Sequence, residues 1–128
     1  VAEIPNLESG YTLDDNARAL IAISEYYELT EDMSVLGLID IYFRFVENSQ
    51  QKDGKFLNYV NQFNEYTKQN FEENLDDCNG RAIYALGIFM SHQKSHQQKI
   101  LLYHYYIYIL LKVRQVDSHL KFNLSFLI

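Results

Sequence analysis

Gly10-Tyr11-Thr12-Leu13-Asp14-Asp15-Asn16-Ala17-Arg18-Ala19-Leu20 reads as a loop turning into a helix. Thr12 stands where an N-cap belongs, and Asp15 three residues on completes a capping-box-like pair, with Asp in place of the usual Glu or Gln. Asp14 and Asp15 fall in the first turn, where the helix dipole favours negative charge. A shorter copy follows at Asp77-Cys78-Asn79-Gly80-Arg81-Ala82-Ile83. Aligned on Arg18 and Arg81, Asn16 meets Asn79, Ala19 meets Ala82 and Asp14 meets Asp77, an offset of 63 residues by subtraction. Two such copies point to one structural unit used twice.

Working outward, residues 1–11 read as an irregular lead-in. Pro5 pushes Ile4 out of the helical region, and Ser9-Gly10 marks a turn. The helix that opens at Thr12 is expected to run to about Leu29. Leu13, Ala17, Leu20, Ser24 and Tyr27 form its stripe, widened by Ile21 and Ile23. Thr30-Glu31-Asp32 begins a second helix after a very short link, with Val35, Leu38, Ile39, Tyr42, Phe45 and Val46 at helical spacing. Asp40 and Arg44, four apart, suit an ion pair on its outer face. Together these two segments predict an antiparallel helical hairpin.

Asn48 to Lys55 is polar and ends on the turn signal Asp53-Gly54. Residues 56–75 read as a long loop with room for a short β segment, where aromatics alternate with amides. That mixture suits a carbohydrate site, and it equally suits an ordinary surface loop. Asp76 opens a third helix to about His92, with Ala82, Leu86 and Phe89 as its stripe. Residues 100–113 are very apolar, and they read as a buried helix with a strand as the alternative. The run is shorter than the roughly 20 residues a membrane span needs.

The 128 residues suffice for one small domain with a core. The net charge of −6 and the lack of a basic stripe argue against nucleic acid as a partner. Cys78 is the one cysteine, which excludes an internal disulfide and fits a cytoplasmic location. The first residues do not have the pattern of a signal peptide, and neither a cofactor nor a membrane partner is expected.

Asp14, Asp15, Asp76 and Asp77 are the candidate catalytic groups. On equivalent helix ends, acidic pairs on one rim could serve as acid, base or hydroxyl-binding groups toward a sugar. Capping and dipole complementarity explain any single one of them without a ligand. Arg18 and Arg81 lie at i+4 from Asp14 and Asp77, so each is expected to hold its own carboxylate. His92 and His96 have the spacing of two metal ligands, yet the metalloprotease pattern is absent and a polar helix end explains them. Cys78 sits at a helix start that would lower a thiol pKa, with two aspartates opposing that. Asn123-Leu124-Ser125 fits the glycosylation pattern and, without a secretion signal, is discounted.

Three motifs, in order, carry a family resemblance. They are residues 10–20 as quoted, Asp53-Gly54-Lys55-Phe56-Leu57-Asn58-Tyr59, and Asp76-Asp77-Cys78-Asn79-Gly80-Arg81-Ala82-Ile83-Tyr84-Ala85-Leu86-Gly87. Over residues 8–90 the chain resembles a bacterial helical domain of the six-hairpin glycosidase-like class, often associated with glycosyltransferases. The resemblance implies an (α/α) toroid and work on carbohydrate. Where that family reads Glu-Asp-Ser-His-Gly-Arg, this chain has Asn79 in place of the histidine, which removes a proton carrier. Residues 91–128 depart from the pattern. One helical domain over 1–128 is therefore expected to be an incomplete toroid, truncated or divergent, which completes its ring by self-association or with a partner domain.

The expected fold is all-α, built from antiparallel helical hairpins of toroid type. The expected function is a carbohydrate-active or carbohydrate-binding domain in glycan assembly or processing. Tyr11, Asn16, Arg18, Phe56, Asn58, Tyr59 and Arg81 are the expected substrate-binding residues. Whether the chain is an enzyme stays open at this point. The alternative is a non-catalytic helical protein-interaction module.

Overall fold

The structure, a computed structural model, describes residues 4–92 together with 107 and 108. These residues are mostly helical. Helix α1 spans Leu13–Thr30, α2 spans Leu36–Asn48 and α3 spans Asp76–Ser91. The apolar run at 100–113, apart from 107 and 108, lies outside the described residues, as do His96 and the Asn123 glycosylation pattern.

Helix α1 begins as its capping pattern demands. The Thr12 Oγ1 accepts from the Asp15 N–H at 3.1 Å and donates to the Asp15 carboxylate at 2.6 Å. The helix ends with Glu31 in the left-handed region, whose N–H returns to the Tyr27 carbonyl. Its stripe is buried as the periodicity predicts: Leu13, Ala17 and Leu20 expose nothing, and Ser24 is buried below them. The second helix starts later than its sequence suggests. Asp32 caps a short 3₁₀ turn, Met33–Val35, before α2 proper. Within α2, Ile39 and Val46 are core, whereas Leu38 of the expected stripe is 45% exposed. Asp40 and Arg44 do pair on the outside, at 2.9 Å.

The three helices have defined directions. The C-terminal end of α2 lies by the start of α1, because the Ser49 carbonyl accepts from Leu57 while Asn58 meets the N–H groups of Leu13 and Asp14. Helices α1 and α2 are therefore antiparallel. Helices α1 and α3 are parallel: Arg81 reaches Asp14 at one end and His92 reaches Glu25 at the other, both across 67 residues. The two copies of the opening motif also start their helices equivalently, at Leu13 and Asp76, 63 residues apart by subtraction. Phe43 of α2 stacks on Phe89 of α3 at 4.5 Å.

A small sheet, unread in the lead-in, ties the loop to this helical layer. Strand β1, Tyr11–Thr12, pairs antiparallel with β2, Tyr59–Val60. Gly10 makes the pairing possible. Its φ is +70°, and a Cβ there would lie 2.3 Å from the Val60 carbonyl oxygen.

Two glycine substitutions separate this constraint from ordinary helix propensity. Gly10→Ala is expected to cost about 2 kcal/mol or more in urea unfolding, from backbone strain and the clash. Gly37→Ala, in α2 with open space around it, is expected to be neutral or to add up to about 1 kcal/mol.

Candidate functional site

The N-terminal ends of α1 and α3 are joined through one carboxylate. Asp14 Oδ2 accepts from Arg18 Nε at 2.9 Å, and Asp14 Oδ1 accepts from Arg81 Nη1. The expectation that Arg81 holds Asp77 is thus corrected. Arg81 leans across the α1–α3 interface to Asp14, which is 22% exposed, and leaves Asp77 in solvent. A charge pair at a partly covered interface is screened less than one on an open helix face.

With each oxygen of Asp14 engaged by a guanidinium, its part is to bridge helices. Asp15 belongs to the Thr12 cap. Asp14 and Asp15 thus have partners within the fold, one bridging helices and the other capping α1.

Side-chain amides do the rest of the assembly. Asn58 accepts from the Asp14 N–H at 3.0 Å through Oδ1, and its carbonyl accepts from Leu13 at 2.8 Å, so it satisfies two orphan donors of α1. Asn16 and Asn79 each donate to the carbonyl of their own N-cap residue, Thr12 and Leu75, at 2.8 Å. Asn79 does more. Its Oδ1 accepts from the Phe56 N–H at 2.8 Å and its Nδ2 donates to the Phe56 carbonyl at 3.0 Å. Asn70, buried, accepts from the N–H groups of Asn58 and Tyr59 and donates to the carbonyls of Tyr59 and Thr67. Phe56 is held so deep that it exposes no surface, and Asn58 is buried as well. Tyr11 is on β1 and 41% exposed.

Against this scaffold lies a cavity of about 570 Å³, between the start of α3 and the loop on either side of β2. Leu57, Leu75 and Ile83 supply apolar wall, and Phe71, 80% exposed, also borders it. Asn70 and Asn79 form scaffold within it. Asp53, Lys55, Glu73, Asn74 and Asp76 bring the polar groups.

Of the residues predicted for the site, Asp76 and the covered Phe56 border this cavity, whereas Asp14, Asp15, Asp77, Tyr11, Asn16, Arg18, Asn58, Tyr59 and Arg81 do not. Asp53, Lys55, Glu73 and Asn74 were missed as site residues. Their only signals were the Asp53-Gly54-Lys55 turn and the polar run before Asp76.

Glu73 is oriented from outside the cavity. Tyr59 Oη donates to Glu73 Oε2, and Gln69 donates to Oε1 at 2.7 Å. The hydrogen bond from Tyr59, then that from Gln69, pull the Glu73 carboxyl below its ordinary value, and the same contact raises the Tyr59 phenol. Glu73 is thus a fixed acceptor and a poor proton donor.

Burial pushes the Cys78 thiol up, hydrogen bonds from Asn79 pull it part of the way back, and the charges of Asp76 and Asp77 add to the rise, which argues against a thiolate nucleophile. His92 pairs with Glu25 at 3.0 Å. Among the described residues no cluster of three or more potential metal ligands occurs. None of the described helices is long and apolar enough to cross a membrane. The chain matches no family model and no curated protein.

Asn79→Ala is expected to cost about 1–3 kcal/mol in urea unfolding, because it strands both backbone groups of Phe56. Asn16→Ala, which frees a single carbonyl near solvent, is expected to cost under about 1 kcal/mol. A double-mutant cycle on Asp14 and Arg81 should return a coupling of about 1 kcal/mol, against a few tenths for Asp40 and Arg44.

Proposed function

We propose that this chain is a carbohydrate-binding helical domain acting in glycan assembly or processing, with the cavity at the start of α3 as its sugar site. The cavity carries this reading. Its volume of about 570 Å³ falls within the roughly 300–1,000 Å³ of small-molecule sites. Its wall alternates apolar surface with amides and carboxylates, which is what a sugar ring and its hydroxyls require. Phe71 at the edge offers an aromatic face for stacking.

Binding suits these residues better than hydrolysis. Asp14 is engaged by two arginines and Asp15 by a cap, while Asn79, where the resembled family has histidine, is spent on Phe56. The toroid reading rests on the parallel pair α1 and α3 with the antiparallel α2, an arrangement that further hairpins would extend into an (α/α) ring. The resemblance to the six-hairpin glycosidase-like class supports it.

A second reading, a helical protein-interaction module, draws on Leu38 and Ile41, 45% and 60% exposed on α2. One experiment separates the two. A glycan panel is titrated into the isotope-labelled chain, with Asp76→Asn and Asp14→Asn as variants, and the same samples are sedimented. The carbohydrate reading expects shifts at Lys55, Asn74 and Asp76, weakened by Asp76→Asn. Asp14→Asn should lower the melting temperature and leave the dissociation constant of the folded protein unchanged. Self-association with no response to any glycan would favour the interaction module.

A further inference from the structure

The polar groups of the cavity divide into those already committed to the fold and those left to meet a ligand. Asn79 and Asn70 are fully used on backbone groups. Glu73 accepts from Tyr59 and Gln69. Asp53 Oδ1 accepts from the Lys55 N–H and Asn74 Oδ1 from the Asp76 N–H. Among the described residues the Asp76 carboxylate accepts no hydrogen bond and makes no ion pair, and neither does the Lys55 ammonium donate one.

The charge of the lining residues is uneven: Asp53, Glu73 and Asp76 carry carboxylates against the one ammonium of Lys55. A helix start would ordinarily draw an anion. Here Asp76 and Asp77 already fill the first turn of α3. The first N–H of the helix is taken by Asn74, and Asp77 and Cys78 do not border the cavity.

We propose that the cavity selects a sugar unit bearing a basic amino group, with Asp76 as the residue that pairs its ammonium, and rejects uronate and phosphorylated sugars. This rests on the carbohydrate reading above and names its ligand class. The wall, with two more carboxylates than ammonium groups, attracts a cation and repels an anion. Asp76 provides a carboxylate acceptor, and a charge-assisted hydrogen bond to an ammonium is about twice as strong as one between neutral groups. Lys55 limits the selectivity, since it sits in the same wall.

The test is calorimetric titration of the chain in mildly acidic buffer. The probes are a β-1,4-linked glucosamine oligosaccharide, its N-acetylated counterpart of equal length, and a uronate oligosaccharide. The glucosamine probe is expected to bind about tenfold more tightly than the acetylated one, the gain of one charge-assisted contact. The uronate should give no heat of binding. Asp76→Asn should abolish the preference for the free amine, and Lys55→Met should increase it. The two variants move the ratio in opposite directions, so a common loss of stability cannot imitate the result.

Equal affinity for the free and acetylated probes, a preference untouched by Asp76→Asn, or binding of the uronate would overturn the amine selectivity and leave the sugar site standing. Silence from all three probes and from the wider glycan panel would overturn both.

Discussion

The side-chain amide of Asn79 acts as a strand partner for a single loop residue. It accepts the N–H and donates to the C=O of Phe56 at once. The loop between α2 and α3 satisfies only part of its backbone through β2, a short 3₁₀ turn at Lys68–Phe71 and scattered bridges, and a buried polar group without a partner costs more than a hydrogen bond returns. Asparagine solves this because one planar amide carries both donor and acceptor. Asn70 repeats the device on Asn58 and Tyr59, and Asn58 passes it on to the first N–H groups of α1. The chain of amides thus runs from α3, through the loop, to α1. Phe56 is drawn into the core by it, and the cavity is what remains between that loop and the start of α3.

The same end of the molecule is closed by Asp14. A carboxylate shared between Arg18 of its own helix and Arg81 of its neighbour sets the axial position of two parallel helices. At the far end His92 meets Glu25 across the same interval. Apolar packing fills the space between: Leu20 of α1 with Ile83 and Leu86 of α3, all in one core. Apolar contacts are non-directional, so the polar pairs at the two ends supply the register. The cost is chemical. Both oxygens of Asp14 are occupied by these pairs, whereas Asp76 borders the cavity with its carboxylate unpaired among the described residues.

What could be read from the sequence was local. The α1 stripe from Leu13 to Ser24 is core because 3.6-residue periodicity is a property of the segment alone, and the Thr12–Asp15 cap follows from residues three apart. The pairing of Asp40 with Arg44 was legible for the same reason. Strand β1 was not, since two residues carry no periodicity and their partner lies at Tyr59 and Val60. The expected pair of Arg81 with Asp77 failed because a competing carboxylate 67 residues away lies across the interface. In sequence Asn70 looks like loop polarity, Asn58 like a substrate contact and Asn79 like part of the repeated helix start, and the burial of Asn58 and Asn70 is decided by where the loop folds. The cavity is a product of that long-range closure, so Asp53 and Lys55 read as a turn, and Glu73 and Asn74 as loop polarity.

The claim on which the rest depends is that asparagine side chains hold the loop as firmly as a strand would. Native-state amide hydrogen exchange at Phe56 and Asn58 tests it directly, because their N–H groups are bonded to the side chains of Asn79 and Asn70 and not to any backbone carbonyl. The account predicts protection close to that of the α1 core amides, with the Phe56 amide losing it in Asn79→Ala while α1 keeps its own. Exchange of both amides at rates near those of an unstructured peptide in the unsubstituted chain would contradict it.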